Sequence, residues 1–231
     1  MLLAYFLAKN NSYNVICIDW RPLAKFQYFA SAEYAIQIGQ AIGNNLIKDI
    51  LIDDLDQDPN LIHVIGHSMG AHLAGQIGKE VKDLQKLGRI TGLDPANIGF
   101  EDKPTMLSKE DAVLVDVIHT NSGSFLDGNV GIEKPIGTID FYPNGGKHMP
   151  GCKSEKAMSS FIGKLCQIIH KLLNTKCSHQ MAKSYYEDSI RNLYDPKYFM
   201  SFECDSYVSF VIGDCKENCQ LPMGEALTMD W

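Results

Sequence analysis

The sequence lacks two features whose absence excludes large classes of proteins. It has no apolar run near the roughly 20 residues that a membrane-spanning helix needs. It has no cluster of Lys and Arg, and its 28 acidic side chains outnumber the 21 basic ones. We therefore expect no transmembrane segment, and no surface for nucleic acid or heparin. An apolar fraction of 45% and a charged fraction of 21% exclude disorder, collagen and coiled coil, and predict a soluble globular protein.

The sequence also lacks the paired Cys-x-x-Cys clusters of a structural zinc site, although it contains seven cysteines. Six of them lie between Cys152 and Cys219, and Cys17 stands alone. Disulfides between these six would place the protein in an oxidising, extracellular compartment. We expect Cys17 to be the unpaired cysteine, buried as a small hydrophobic side chain in the apolar run 14–20.

A signal peptide is a further feature that the sequence does not show. Residues 1–9 have no basic start, and the apolar stretch leads into Lys9-Asn-Asn without a cleavage-type segment. We interpret this stretch as the end of a helix, and we expect the chain to begin within a fold.

Apolar and helical patterns alternate along the first half of the chain and predict an α/β fold with a mostly parallel sheet. The predicted strands are residues 14–20, 61–65, 89–94 and 112–119. The predicted helices are residues 31–55, with an apolar stripe of Tyr34, Ile38, Ile42, Leu46 and Ile50, then 71–78, and a stretch near 158–173. No linker or repeat interrupts the sequence, so we expect one domain.

Residues 66–70, Gly-His-Ser-Met-Gly, match the G-x-S-x-G pattern between a predicted strand and a helix of small residues. This setting is typical of a nucleophile elbow, in which a serine occupies a strained turn between glycines. The first N–H groups of the helix would face a developing oxyanion. The pattern therefore predicts Ser68 as a nucleophile.

A serine nucleophile needs a base and an orienting carboxylate, which follow it in the order acid, then histidine, in hydrolases of this fold. Asp94 suits the acid because it ends a strand and precedes Pro95, whereas Asp19, Asp111 and Asp116 are less well placed. The histidines that follow Asp94 are His119, His148, His170 and His179. Spacing alone does not separate His119, at a strand end, from His179, two residues after Cys177.

Segments spread over nearly the whole chain carry a family pattern. They are residues 14–20 (NVICIDW), 64–72 (VIGHSMGAH), 90–96 (ITGLDPA), 115–120 (VDVIHT), 140–146 (DFYPNGG), 150–152 (PGC) and 177–179 (CSH). In these segments the chain resembles the pancreatic lipase family of α/β-hydrolases. The resemblance implies a triad of Ser68, Asp94 and His179, and it implies that His119 is not catalytic.

The same resemblance implies that residues 1–231 are a lipase catalytic domain, incomplete at its N-terminus and without the C-terminal β-sandwich. It implies a lid over about 152–177, closed by a Cys152–Cys177 disulfide, with residues 130–137 as the opposing loop. Cys204 is expected to pair with Cys215 or Cys219. The Met69 N–H would be one oxyanion donor, and the turn that donates the second has no match in this chain.

The resemblance also implies the activity and its requirements. We expect an extracellular serine esterase that hydrolyses acylglycerols at a lipid interface through an acyl-serine intermediate. The alternatives are a phospholipase A1 and a non-catalytic lipid-binding protein like insect yolk proteins. No cofactor is expected for the chemistry, but Met106, Ser108 and Asp111 resemble the calcium loop of the family and could hold a structural calcium ion.

Overall fold

A computed structural model describes residues 13–124, 128–152, 177–195 and 197–228. The chain divides into two compact units. The larger one, which we call the sheet unit, is Gln27–Ala182, and the smaller one, the terminal unit, combines Met1–Phe26 with Lys183–Trp231.

The sheet unit is built on a four-stranded parallel sheet. Its strands are β1 (His63–His67), β2 (Leu87–Leu93), β3 (Ala112–Ile118) and β4 (Ile139–Phe141), in the order β1-β2-β3-β4. Ile90, Val115 and Val117 have no exposed surface, as expected for strands covered on both faces. The predicted α/β fold with a mostly parallel sheet is confirmed, and β4 is a strand that the sequence analysis did not identify.

Helices flank this sheet. Helix α1 (Tyr28–Ala41) continues as a π-helix over Ile42–Asp54, and helix α2 (Met69–Val81) follows β1 directly. Short 3₁₀ turns cover Pro59–Leu61 and Pro143–Gly145. Helix α3 covers residues 177–191, of which 177–182 belong to the sheet unit.

The buried face of the first helical segment differs from the predicted apolar stripe. Its buried residues are small, including Ala35, Gly39 and Gly43, with Ile47 at the far end, whereas Ile50 is exposed. A Cβ atom at Gly39 would lie 2.8 Å from the carbonyl oxygen of Leu73 on α2. The backbone of α1 therefore approaches α2 too closely for large side chains, and the small residues form the contact.

The predicted strand at residues 14–20 is wrong. These residues have no regular secondary structure, and Ile16, Cys17 and Ile18 are exposed. A β-branched run forms a strand only where a neighbouring strand accepts and donates its backbone hydrogen bonds, so propensity alone does not decide the outcome. Cys17 is free, as expected, but its predicted burial is also wrong.

The terminal unit contains residues 183–191 of α3 and a small antiparallel sheet. Strands β5 (Met200–Phe202) and β6 (Gln220–Pro222) pair with each other, and helix α4 (Tyr207–Ile212) lies between them in sequence. A 3₁₀ turn covers Leu23–Lys25. A Cys204–Cys215 disulfide confirms one of the two pairings expected for Cys204. Cys219 is free, so the expectation that Cys17 is the one unpaired cysteine is wrong.

Among the described residues, no helix has the length and apolar character needed to cross a membrane. Several predictions lie outside the described residues. They are the helix end at 1–9, the interior of the lid at 153–176 with its helix near 158–173, Cys166, and His170.

Candidate active site

Ser68 lies at the turn between β1 and α2, in a backbone conformation that few non-glycine residues adopt. Its φ is 58° and its ψ is −122°. Such a conformation costs about 1–3 kcal/mol and persists only where the surroundings impose it. Here the Ser68 N–H donates to the carbonyl oxygen of Leu93, at 3.0 Å. The Ser68 hydroxyl does not cap α2, so the helix does not engage it as an ordinary N-cap serine.

Gly66 makes this turn sterically feasible. A Cβ atom at Gly66 would lie 2.0 Å from the carbonyl oxygen of Gly70, closer than any real contact. At Gly70, by contrast, no described atom lies within 4 Å of a built Cβ position. Of the two glycines of the motif, Gly66 is therefore the one at which a close backbone approach excludes a side chain.

Met69 is the first residue of α2, where backbone N–H groups have no acceptor within the helix. Its side chain packs against a small apolar cluster of Ala32, Ala96 and Phe100. This packing fixes the start of the helix next to Ser68. The N–H of Met69 thus belongs to the partly positive helix end that favours negative charge.

Asp94 follows β2 and is completely buried. Its Oδ1 accepts the backbone N–H groups of Thr120, at 2.8 Å, and Asn121, at 3.0 Å. A Cβ atom at Gly131 would lie 2.6 Å from the same oxygen, so only glycine leaves room for the carboxylate. The two N–H donors hold Asp94 in one orientation and stabilise its charge.

His179 lies in the first turn of α3 and contacts Asp94. Its Nδ1 is 2.5 Å from Asp94 Oδ2, and its side chain is 12% exposed. A carboxylate only accepts hydrogen bonds, so Nδ1 carries the proton, and the neutral ring presents a lone pair on Nε2. Nε2 is therefore the nitrogen able to act as a base.

His67, the residue before Ser68, connects the serine turn to His179. Its Nε2 donates to the carbonyl oxygen of His179, at 2.9 Å, and the two rings lie 4.5 Å apart between centroids. Sequence reasoning missed this residue, although its place within the G-x-S-x-G pattern puts it beside the serine. The sheet unit thus brings together the turn with Ser68, the buried Asp94 and His179.

A disulfide and a hydrogen bond fix the start of α3. Cys152 and Cys177 form the expected bond, two residues before His179. The hydroxyl of Ser178 accepts the backbone N–H of Met149, at 3.1 Å. Residues 149 and 152 therefore fix the two residues that precede His179.

His119, the alternative base, lies in a different polar pair. Its Nδ1 donates to the carbonyl oxygen of Ile132, at 2.8 Å, and its Nε2 is 2.8 Å from Asp140 Oδ1. Its ring is completely buried and stacks on Tyr142 at 4.3 Å. With both nitrogens engaged in this way, His119 is not placed to accept a proton from Ser68.

The other candidates are exposed or have other partners. His148 is exposed. Asp116 is buried and pairs with Arg89, at 2.8 Å and 3.0 Å, while Asp111 pairs with Lys79. Asp19 is exposed in the terminal unit, where the hydrogen bonds from Arg21 lower its pKa to about 2.

His72, a second residue that sequence reasoning missed, connects α2 to the segments that follow β2. Its Nδ1 accepts the N–H of Leu107, at 3.0 Å, so its Nε2 must donate to the carbonyl oxygen of Ala96, at 2.8 Å. The ring stacks on Phe100. Burial lowers the pKa of His72 to about 4, and the ring is neutral at physiological pH.

The residues expected to hold calcium do not fit that ion in this structure. The carbonyl oxygen of Met106 and Oδ2 of Asp111 both accept hydrogen bonds from the Lys79 ammonium. Oδ1 of Asp111 accepts the Ser108 hydroxyl. Within the described ranges, no group of three or more His, Cys, Asp or Glu side chains could hold a metal ion.

The parallel sheet, its flanking helices and the serine in a strained strand-to-helix turn define the class of α/β-hydrolases. The Lipase family model matches residues 3–228, and the chain belongs to this family.

Curated relatives are similar over most of the chain. Pancreatic lipase-related protein 2 of Cavia porcellus is 37% identical over 205 residues, which are 87% of this chain and 41% of that protein. Lipoprotein lipase of Gallus gallus is 38% identical over 204 residues, 87% of this chain and 40% of that protein. Pancreatic triacylglycerol lipase of Cavia porcellus is 36% identical over 211 residues, which are 88% of this chain and 43% of that protein. The chain thus spans about two-fifths of the length of these relatives.

Proposed function

We propose that this protein is an extracellular serine esterase that hydrolyses the carboxylic esters of acylglycerols. The observation that carries the proposal is the contact between His179 Nδ1 and buried Asp94 Oδ2, next to the strained turn that holds Ser68. A base oriented by a carboxylate is what a serine hydroxyl needs to become a nucleophile.

In the proposed reaction, Ser68 Oγ attacks the ester carbonyl carbon while His179 Nε2 accepts the serine proton. The Met69 N–H faces the oxyanion of the tetrahedral intermediate. His179 then gives its proton to the departing alcohol, which leaves an acyl group on Ser68. Water, deprotonated by the same nitrogen, attacks this acyl-serine, and His179 returns the proton to Ser68 Oγ as the bond to the fatty acid breaks. Asp94 stays ionised and keeps Nδ1 protonated throughout.

The substrate class is supported by the relatives. Two of them are named lipoprotein lipase and pancreatic triacylglycerol lipase. The range that the Lipase family model matches includes Ser68, Asp94 and His179. The extracellular location is supported by the two disulfides, because such bonds persist in oxidising compartments.

The proposal is tested by covalent labelling of the purified protein. An organophosphorus ester should attach to Ser68, and peptide mass mapping should locate it there. Ser68→Ala should remove both the label and the hydrolysis of a short-chain glyceride. Ser122→Ala is the matched control, because Ser122 is a buried serine of the sheet unit whose hydroxyl donates to Gly146. Labelling that persists in Ser68→Ala would contradict the proposal.

A further inference from the structure

Lys79 directs its ammonium group into the loop at residues 106–111. Its Nζ is 2.5 Å from Oδ2 of Asp111 and 2.9 Å from the carbonyl oxygen of Met106. The Asp111 side chain is 3% exposed and that of Lys79 is 19% exposed. A buried carboxylate is therefore paired with a positive charge from the chain itself.

The oxygens of this loop are already engaged by hydrogen-bond donors. Besides Lys79, Oδ2 of Asp111 accepts the Ser108 N–H at 2.9 Å, and Oδ1 accepts the Ser108 hydroxyl at 3.1 Å. Calcium needs six to eight oxygen ligands with lone pairs directed at the ion. An ammonium group instead supplies up to three N–H donors and one charge, which suits one carboxylate and one carbonyl.

The face of α2 that meets this loop leaves little space between them. A Cβ atom at Gly78 would lie 2.1 Å from the carbonyl oxygen of Asp111, and one at Gly75 would lie 2.9 Å from its Oδ2. The N–H of Leu107 donates to His72 on the same helix. The loop is thus attached to α2 at several points, and Lys79 provides the only described cation that contacts the Asp111 carboxylate.

We propose that the Lys79 ammonium is the cation of this loop and occupies the position that a calcium ion would take. It fastens the loop to α2, the helix that begins directly after Ser68. The folded protein consequently has no requirement for calcium at Met106, Ser108 and Asp111. This proposal concerns stability and ion binding, and it holds whether or not the protein hydrolyses esters.

Thermal unfolding of the full chain, with its disulfides intact, tests the proposal. The Tm of the unsubstituted protein should be the same in calcium chloride and in EDTA, and a calorimetric calcium titration should show no binding. Lys79→Met, which keeps the length but removes the charge, should lower the Tm by roughly 5 °C or more. Lys82→Met is the matched control, because Lys82 is exposed at the C-cap of the same helix, and it should leave the Tm nearly unchanged.

A double-substitution cycle provides a second measurement. If Lys79 and Asp111 interact directly, Lys79→Met combined with Asp111→Asn should lower the Tm by less than the sum of the two single losses. Should Lys79→Met not fold, the calcium titration of the unsubstituted protein still decides. A saturable rise of its Tm with calcium, abolished by Asp111→Asn, would overturn the proposal.

Discussion

At the scale of single residues, the described part of the sheet unit contains two histidine–carboxylate pairs, and their surroundings give them different roles. His119 is buried between Asp140, Ile132 and the ring of Tyr142. His179 contacts Asp94 through Nδ1 and lies beside the serine turn. The first pair is suited to holding β3 and the following loops together, and the second to proton transfer.

We expect His179→Ala to lower kcat for ester hydrolysis by roughly 10⁴–10⁶-fold, since a serine without its base loses most of its reactivity. His119→Ala should instead lower the free energy of unfolding, by about 3 kcal/mol, because it removes a fully buried ring that stacks on Tyr142 and binds Asp140. Rates per folded molecule and denaturant unfolding curves separate the two effects. A folded His179→Ala protein with near-normal turnover, together with a folded but inactive His119→Ala protein, would reverse the assignment.

His67 offers a finer test of how His179 is positioned. Loss of its hydrogen bond to the His179 carbonyl should lower kcat by roughly 10-fold, because about 1.4 kcal/mol corresponds to one order of magnitude. His67→Gln, which keeps a side-chain N–H donor, should retain more activity than His67→Ala.

The measurement for His67 is kcat and KM against pH for both variants. A positioning role predicts a lower kcat with nearly unchanged KM, and partial rescue in His67→Gln. Equal losses in both variants, in proportion to the folded fraction, would show that His67 acts through stability alone.

At the scale of elements, the sequence predicts secondary structure best where a local hydrophobic pattern alone decides between strand and helix. The strand before Ser68, the helix after it and the two following strands were predictable, because apolar runs and small-residue periodicity both pointed to a covered sheet. The place of Asp94 between a strand and Pro95 predicted an orienting carboxylate, and the structure places it in contact with His179. The choice of His179 over His119 was not predictable from spacing, since it depends on which carboxylate each ring meets after folding.

Two elements show why patterns were insufficient elsewhere. Residues 14–20 have the composition of a strand but no strand structure, because pairing partners decide whether such a run is used. In α1 and the π-helix that continues it, the apolar stripe is less buried than the stripe of small residues, because close packing on α2 selects Gly39 and Gly43. Both outcomes depend on contacts between residues that are far apart in the sequence, and a local sequence pattern does not reveal such contacts.

The two glycines of the elbow provide a prediction at this scale. Gly66→Ala should lower the free energy of unfolding by about 3 kcal/mol, because its Cβ cannot coexist with the Gly70 carbonyl. Gly70→Ala should leave stability unchanged or raise it by up to about 1 kcal/mol, because alanine favours the helix and no described atom obstructs it. Urea unfolding of both variants makes the comparison, and equal destabilisation would contradict it.

At the scale of the whole molecule, buried histidines link stability to pH. His63 donates to Thr91, whose hydroxyl in turn donates to Asp116, the partner of Arg89. Burial lowers the pKa of His63 well below its usual value, and lowers that of His72 to about 4. Both rings are therefore neutral in the folded protein under conditions where the unfolded chain takes up protons.

This difference makes stability decrease with falling pH. In the unfolded chain histidine titrates near 6.5, so below that pH the unfolded state binds more protons than the folded one. The resulting loss begins near pH 6.5 and, for His72, is complete near pH 4. Between about pH 7 and about pH 5, His72 alone should account for a loss on the order of 2 kcal/mol.

Substitution of His72 isolates its share of this pH dependence. His72→Gln replaces the ring by a group that can both accept from Leu107 and donate to Ala96 but cannot take up a proton. The free energy of unfolding of this variant should fall less between pH 7 and pH 5 than that of the unsubstituted protein. His148→Gln is the control, because His148 is exposed, and it should leave the pH dependence unchanged. If His72→Gln keeps the full pH dependence, then His72 takes up protons in the folded state as readily as in the unfolded chain. Its contacts with Ala96 and Leu107 would then not hold the ring neutral.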